Sequence, residues 1–100
     1  MSTEEKYVFA RESWSGDSRD GIVINGDGYH YFKIEKPAFI TEAYELYENE
    51  DGEEVVTPLP EMQQVDWMKD LGFDDLEALD MIEEYAFERI RNLNRSQHVT

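Results

Sequence analysis

Alternating apolar and polar residues in the first third of the chain predict short β-strands separated by turns. The segments 6–14 (KYVFARESW) and 29–34 (YHYFKI) are rich in aromatic and β-branched residues, as strands are. Between them, the segment 22–25 (IVIN) predicts a third strand, and the flanking segments 15–21 and 26–28 are dense in Gly, Ser and Asp. Because short strands joined by tight turns pair most simply with their neighbours in sequence, we predict an antiparallel meander.

The pattern of residues 38–49 fits either a strand or a helix. The Asp51-Gly52 pair, between a Tyr/Leu-rich and a Val-rich segment, favours a hairpin with a type I′ turn. The alternative is a helix from Pro37 to about Asn49, with proline at its first position. We prefer the hairpin, because the segment 53–57 (EEVVT) otherwise has no local partner strand.

Helical spacing of apolar residues predicts two helices in the C-terminal part. The first occupies residues 61–72 and is stopped by Gly72. The second occupies 73–91 (FDDLEALDMIEEYAFERIR), and its apolar stripe comprises Leu76, Leu79, Ile82, Ala86, Ile90 and Leu93. The predicted fold class is therefore α+β: a small antiparallel β meander of three to five strands packed against two C-terminal helices. We expect one domain, 1–100, with a flexible tail at about 95–100.

Composition excludes several classes of protein and of site. The chain has no cysteine, which excludes disulfide scaffolds and thiolate zinc sites. No apolar run reaches the length of about 18 residues that a membrane span needs, and residues 1–9 lack a secretory pattern, so we expect a cytoplasmic protein. The two histidines, His30 and His98, have no metal-ligand spacing, and His30 is expected to be a packed or edge residue. No nucleophile or phosphate-loop motif is present, so we expect no enzyme activity, no cofactor and no metal.

The net charge of −15 is concentrated in one part of the chain. Residues 41–88 hold seventeen acidic residues and a single basic one, Lys69, whereas residues 1–40 are nearly balanced. Self-repulsion of this size costs stability and disfavours direct binding of nucleic acid, whose phosphates would be repelled. A concentrated negative field instead favours a basic protein partner.

Three acidic groups are the candidate partner-binding residues. Glu77, Asp80, Glu84 and Glu88 would run down one edge of the second helix, about 4.5–6 Å apart along its axis. Asp66 and Asp70 would form a pair on the first helix. The third group, at the hairpin tip, comprises Glu48, Glu50, Asp51, Glu53 and Glu54.

Such an array could imitate a phosphate backbone and occupy a basic nucleic-acid channel. In charge and size alone, the chain resembles small acidic inhibitors that block restriction, repair or CRISPR enzymes, and immunity proteins that neutralise nucleases. We therefore expect an inhibitor that acts by mimicking DNA or RNA. The alternative is a non-enzymatic interaction or assembly module whose charge serves only solubility. Whether it is a monomer or a homodimer is left open.

Overall fold

An antiparallel sheet and one helix form the fold of this protein. The computed structural model describes residues 6–15, 18–19, 22–23, 27–73 and 79–97. Its strands are β1 Tyr7–Ser15, β2 Ser18–Arg19, β3 Ile22–Val23, β4 Asp27–Glu35, β5 Phe39–Glu48, β6 Glu54–Pro58, β7 Val65–Asp66 and β8 Asp80–Ile82. The helix α1 is Glu84–Gln97, and a short 3-10 helix occupies Pro60–Met62. The α+β class is confirmed, but the prediction of two helices is wrong, because the described residues contain one α-helix.

The main sheet has the strand order β6-β5-β4-β1-β8, with all pairs antiparallel. The sixth strand, β7, pairs with the outer edge of β5 beside β6. The predicted meander is therefore present with more strands than expected. The predicted strand at 22–25 is not part of it, because Ile22–Val23 pairs with Ser18–Arg19 in a separate two-stranded ladder.

Side chains alternate between two covered faces of the sheet. Ala10, Phe32 and Ala43 lie in register on one face, which we call the loop face because residues 59–73 cover it. Phe9, Tyr31 and neighbouring apolar residues lie on the opposite face, the helix face, where Phe87 and Ile90 of α1 pack against them. Burial on both faces gives the sheet two small apolar cores. Each core is small because the chain is short, so the sheet needs both the helix and residues 59–73 to bury enough apolar surface.

Residues 61–71 form turns around a short strand, not the predicted helix. Asp66 Oδ1 accepts hydrogen bonds from the backbone N–H groups of Met68 (2.9 Å) and Lys69 (2.7 Å). Trp67 N–H donates to Ala38 O at 2.7 Å, and the indole packs against Phe32. An aspartate side chain that accepts hydrogen bonds from nearby backbone N–H groups competes with helix formation. The apolar residues of this segment therefore have helical spacing but pack on the loop face from a series of turns.

The predicted helix over 73–91 starts only at Glu84. Residues Asp80–Ile82 instead pair with Phe9–Arg11 as strand β8, because the outer edge of β1 supplies the hydrogen bonds that a helix would otherwise make. Leu79 directly precedes β8 and is buried on the loop face, so it is not part of a helical stripe. Residues 74–78, including Leu76 and Glu77, lie outside the described residues.

The hairpin over 38–58 is confirmed, and the helix starting at Pro37 is wrong. A type I′ turn is not formed, because it needs positive φ at two residues, and of the tip residues only Gly52 (φ 81°) has it. Asn49 organises the tip instead: its Oδ1 accepts from the N–H groups of Asp51 and Glu53, both at 3.0 Å. Gly52 N–H donates to Asn49 O at 3.0 Å.

Two polar contacts fix α1 on the sheet. Arg91 donates two hydrogen bonds to the carboxylate of Glu42 on β5, at 2.8 and 3.0 Å, and Tyr44 O–H donates to the same carboxylate at 2.9 Å. In the last turn, Gln97 Oε1 accepts from Val56 N–H (2.9 Å), while its Nε2 donates to Glu54 O (2.8 Å). The helix therefore continues to Gln97, past residue 95, where the flexible tail was predicted to begin.

Candidate functional site

The tip of the β5–β6 hairpin carries four exposed carboxylates on a well-defined turn. These are Glu48, Glu50, Asp51 and Glu53, which we call the acidic tip. Asn49 Nδ2 donates to Glu53 at 3.1 Å, and its backbone contacts order the turn. Within the described ranges, none of the four forms an ion pair. The acidic residues predicted at the hairpin tip therefore lie on an ordered turn, where these four carboxylates are exposed and have no ion pair with a described residue.

Glu54, the fifth acid predicted at the tip, differs from the other four. It forms an ion pair with Arg89 of α1 at 2.8 Å, and its backbone carbonyl binds Gln97. Both side chains of the ion pair are largely exposed, so the pair contributes little stability but cancels one negative charge. Glu54 therefore joins the tip to the helix and is not part of the uncompensated surface.

The four-residue acidic edge predicted for the second helix is not formed. Glu84 and Glu88 lie exposed one turn apart on α1, but Asp80 lies on β8, 3.6 Å from Arg11. Glu77 lies outside the described residues. Glu83, next to β8, adds a third exposed carboxylate near the start of the helix.

Asp66 and Asp70 are structural acceptors and not an exposed pair on a helix. Asp70 Oδ2 accepts from Asp66 N–H at 2.8 Å, and Asp66 caps the turn that follows it. Each carboxylate satisfies backbone donors that would otherwise be unpaired. The turn over the loop face explains these two residues without a partner.

Five basic side chains in the described ranges form ion pairs within the fold, and none of these pairs involves a carboxylate of the acidic tip. The pairs among the described residues are Lys6–Glu35 (3.4 Å), Arg11–Asp80 (3.6 Å), Lys33–Glu42 (3.9 Å), Arg89–Glu54 (2.8 Å) and Arg91–Glu42 (2.8 Å). None of the pairs in this list involves Glu83, Glu84 or Glu88, but Arg91 lies close enough to Glu88 for that charge to add to the effect of Glu42, which raises the pKa of Arg91. The exposed carboxylates therefore include two groups, the acidic tip and the set Glu83, Glu84 and Glu88.

A second polar cluster lies on the loop face and was missed by the sequence reasoning. His30, on the central strand β4, bridges two carboxylates: its Nδ1 is 3.2 Å from Glu12 Oε2 on β1, and its Nε2 is 3.1 Å from Glu45 Oε2 on β5. Glu45 is 3% exposed and is the one buried charged residue in the described part of the chain. His30 is thus packed, as expected, but it lies in a central strand and not at an edge.

The geometry of this cluster requires an additional proton. An ionised carboxylate only accepts hydrogen bonds, and a neutral imidazole has one N–H, so both contacts are satisfied only if His30 is an imidazolium or a carboxyl group is protonated. Burial lowers the pKa of His30, but the hydrogen bonds to Glu12 and Glu45 and their charges outweigh it, so the pKa lies above its ordinary value of 6.5. The imidazolium is the species that this arrangement favours.

An open cleft of about 340 Å³ lies over this cluster. Its lining combines the polar pair His30 and Glu45 with Trp14, Leu59, Glu61 and Met62. The indole of Trp14 stacks on His30 (ring centroids 6.0 Å apart, 26° between planes) and lies against Gly28. Opposite, the 3-10 helix is held over β5 because Leu59 N–H and Gln63 Nε2 both donate to Ala43 O at 3.0 Å.

One sequence signal could have indicated this cluster. In β4, His30 alternates with Phe32 and Ile34, and in β5, Glu45 alternates with Ala43, so both polar residues belong to an inward-facing set. A polar residue on a buried face needs a partner. The pairing of His30 with Glu45, however, depends on strand register, which the sequence pattern does not fix.

The described residues contain no group of three or more His, Cys, Asp or Glu side chains arranged to hold a metal ion. Among the same residues, no helix is long and apolar enough to cross a membrane. No protein-family model matches the chain, and comparisons with curated proteins and with solved structures find no match. The interpretation of function therefore rests on surface charge and surface shape.

Proposed function

We propose that this protein is a small acidic inhibitor that binds the basic, nucleic-acid-binding surface of a target protein by imitating DNA or RNA. The observation that carries the proposal is the acidic tip: four exposed carboxylates on a turn ordered by Asn49, none of which forms an ion pair with another residue that the structure describes. An ordered anionic turn loses little conformational entropy when it binds, and a concentrated field accelerates encounter with a positive surface. Glu84 and Glu88 are exposed on α1 and add two carboxylates to the anionic surface of the protein.

Salt dependence provides the first test of this proposal. The tagged protein is used to capture partners from lysate at low and at high salt, and the captured proteins are identified. We expect capture of nucleic-acid-binding proteins that is lost steeply as salt rises, because binding to such surfaces is governed by charge. The captured protein is then tested for displacement of its labelled DNA or RNA. Salt-insensitive capture, or capture without displacement, would contradict mimicry.

Charge-matched variants provide the second test. One variant changes Glu50, Asp51 and Glu53 to Gln, Asn and Gln, and the other changes Glu83, Glu84 and Glu88 to Gln, so both remove three charges. We expect the tip variant to weaken displacement more than the helix variant, because the tip concentrates its charges on one turn. If neither variant weakens displacement, the acidic surface is not the binding surface.

The alternative is an interaction module that binds through apolar contacts. Met81 is 53% exposed and lines an open groove of about 330 Å³ formed by residues of β1 and β8 together with Glu83 and Glu84, and Tyr85 on α1 is 74% exposed. An interface at this groove would lose little affinity in high salt, because burial of apolar surface is not screened. The salt titration therefore separates the two functions.

A further inference from the structure

The groove between β1 and β8 lies at one edge of the main sheet, and we call it the edge groove. Strand β8 pairs with residues 9–11 of β1 and leaves the sheet after Ile82, where the chain turns into α1. Among the described strands, Tyr7 and Val8 therefore have no partner on this side of β1, and they line the groove instead. The early end of β8 thus creates a groove of about 330 Å³.

The walls of the edge groove are continuous with the apolar core on the helix face. Phe9 is 8% exposed, and its ring lies 5.4 Å from that of Phe87 of α1. Tyr7 and Ile82 pack against the same core, and the exposed Met81 lines the groove beside them. The thioether side chain of methionine adapts its shape to an apolar neighbour. An apolar side chain that enters this groove would therefore extend an existing core.

The rim of the edge groove is acidic. Glu83 and Glu84 line it, both are exposed, and neither forms an ion pair within the described ranges. Lys6, whose Nζ lies 5.5 Å from the ring centroid of Tyr7, is paired with Glu35 at 3.4 Å. The two rim carboxylates are therefore available to cations from outside the fold.

We infer that the edge groove binds a short segment of a protein partner in which a large apolar side chain is flanked by lysine or arginine. The apolar side chain packs against Met81 and Ile82, and the flanking cations pair with Glu83 and Glu84. An acidic segment or a nucleic acid would be repelled by this rim. A second copy of the chain is disfavoured for the same reason, because a symmetric interface brings the same carboxylates of both copies together.

This inference rests on the proposed function and adds an apolar anchor to it. Exposed charges mainly accelerate encounter, whereas a few buried side chains near the centre of an interface carry most of the affinity. Residues 48–53 of the acidic tip include no apolar side chain. An inhibitor that approaches its target through the tip therefore needs an apolar contact elsewhere, and the edge groove supplies it.

The test uses the peptide acetyl-Lys-Lys-Leu-Lys-Lys-amide as the probe, titrated into protein with labelled methionine methyl groups and followed by NMR. One comparison peptide has serine in place of leucine, and another has glutamate in place of every lysine. We expect a saturable shift of the Met81 methyl with the leucine probe, about tenfold weaker binding of the serine peptide and none of the glutamate peptide. Equal affinity for leucine and serine, or no saturable shift at Met81, would overturn the inference.

Variants at the groove separate this site from general attraction to an acidic protein. At the exposed position 81, Met81→Gln should weaken the leucine probe about fivefold, whereas the apolar Met81→Leu should retain its affinity. Glu83→Lys should also weaken it about fivefold. An equal affinity in Met81→Gln and the wild type would overturn the assignment to the groove.

Glu61→Lys is the matched control for Glu83→Lys, because it makes the same reversal of charge at an exposed position. Glu61 lies in the 3-10 helix beside β5, three strands from β8 and so roughly 14 Å away. At about 0.15 M salt a charge at this distance is largely screened, so affinity for the leucine probe should be unchanged. Equal losses in the two variants would show attraction to the whole protein and overturn the inference.

These experiments distinguish failure of the groove from failure of the proposed function. If Met81→Gln captures nucleic-acid-binding proteins and displaces their DNA or RNA as the wild type does, and the leucine probe does not bind, the groove is not the anchor and the acidic inhibitor remains. If the leucine probe binds and Met81→Gln weakens it, but no nucleic-acid-binding protein is captured, the groove stands and the proposed function fails. A Met81 shift that grows with protein concentration in the absence of peptide would identify a second copy as the occupant and overturn the inference.

Discussion

Gln97 and Val56 are joined by a hydrogen bond in which a helix side chain takes the place of a neighbouring β-strand. Val56 N–H donates to Gln97 Oε1 at 2.9 Å, and Gln97 Nε2 donates to the carbonyl of Glu54 at 2.8 Å. One side-chain amide thus supplies the acceptor and the donor that a strand would offer to β6. An unpaired strand edge invites pairing with other chains, so this contact protects the edge as well as fixing the helix.

Removal of this amide should destabilise the protein and expose the edge of β6. We expect Gln97→Ala to lower the free energy of unfolding by about 1 kcal/mol, as lost hydrogen bonds at a partly exposed site usually do. Urea denaturation measures the loss, and light scattering measures association at high concentration. Ser96→Ala, at the exposed neighbouring position, is the control and should change neither quantity.

The ion pair between Glu42 and Arg91 should make stability fall in acid. Burial raises the pKa of Glu42, but the hydrogen bonds from Arg91 and Tyr44 outweigh it, so the pKa lies below its ordinary value of 4.5. A lowered pKa in the folded state means that the contribution is present above pH 4.5 and is lost as pH falls through the folded pKa. We expect Glu42→Gln to cost about 2 kcal/mol at pH 7 and to flatten the acid limb of the stability curve.

The control for the Glu42 variant is Glu61→Gln, which removes an exposed carboxylate that has no ion pair with another residue in the described part of the chain. Its acid limb in urea denaturation should match that of the wild type. A Glu42→Gln protein that retains the full acid dependence of the wild type would show that other carboxylates cause it.

The bridge made by His30 should have the opposite dependence on pH. Because the pKa of His30 is raised in the folded state, its contribution is fully present below pH 6.5 and is lost as pH rises through the folded pKa. Glu12 and Glu45 are the charged groups that contact it among the described residues, and Glu61 lines the same cleft. NMR titration should give a midpoint above 6.5 for His30, identified by its absence in His30→Gln.

Removing one carboxylate of the bridge provides the matched comparison. Glu12→Gln keeps the size of the side chain but removes a charge, so the His30 midpoint should fall towards 6.5. The partly exposed Glu12 is a safer choice than the buried Glu45, whose loss would disturb packing. A His30 midpoint below 6.5 in the wild type would contradict the bridging imidazolium.

A methyl group at position 28 should disturb the sheet and the cleft together. In Gly28→Ala the new Cβ would be 2.7 Å from the Trp14 indole nitrogen and would overlap the carbonyl oxygen of Leu46. We expect a loss of about 2 kcal/mol in thermal or urea denaturation, in the range found for overpacked sites. Gly52→Ala, where the space is open and only the positive φ is unfavourable, should cost less, about 1 kcal/mol.

Repulsion between the carboxylates of the acidic tip should lower the stability of the folded protein. Replacing Glu50, Asp51 and Glu53 by their amides removes like charges on one turn, so we expect a higher melting temperature in low salt. Added salt should raise the melting temperature of the wild type more than that of this variant. Calorimetry at two salt concentrations measures the difference. A variant that melts lower than the wild type would show that these carboxylates stabilise the turn.

Alternation along single strands was sufficient to predict much of the sheet. The pattern of 29–34 marks Phe32 and Ile34 as inward residues, and the Gly52 turn marks the hairpin. These signals are local, because each depends on residues that are neighbours in one strand or turn. The class α+β and the position of the charged tip follow from them.

Elements that depend on distant partners could not be predicted in this way. Leu79, Ile82 and Ile90 have helical spacing, but whether Ile82 joins a helix or a strand depends on the free edge of β1, opposite Phe9. The bridge from His30 to Glu45 likewise depends on the register of two strands. The periodicity of one segment does not indicate which sheet edge the segment pairs with or which residue lies opposite on the neighbouring strand.

The position of β1 between β4 and β8 has a consequence for synthesis of the chain on the ribosome. Strands β1, β4, β5 and β6 can pair as they emerge, but the partner of Phe9–Arg11 and the helix covering Phe9 come from residues 80–97. Until those residues emerge, the nascent sheet presents an uncovered apolar face, a state prone to association. By then the acidic tip has already been made. Like charges on the tips of neighbouring chains repel each other, so the charge that we assign to partner binding also opposes association of incomplete chains.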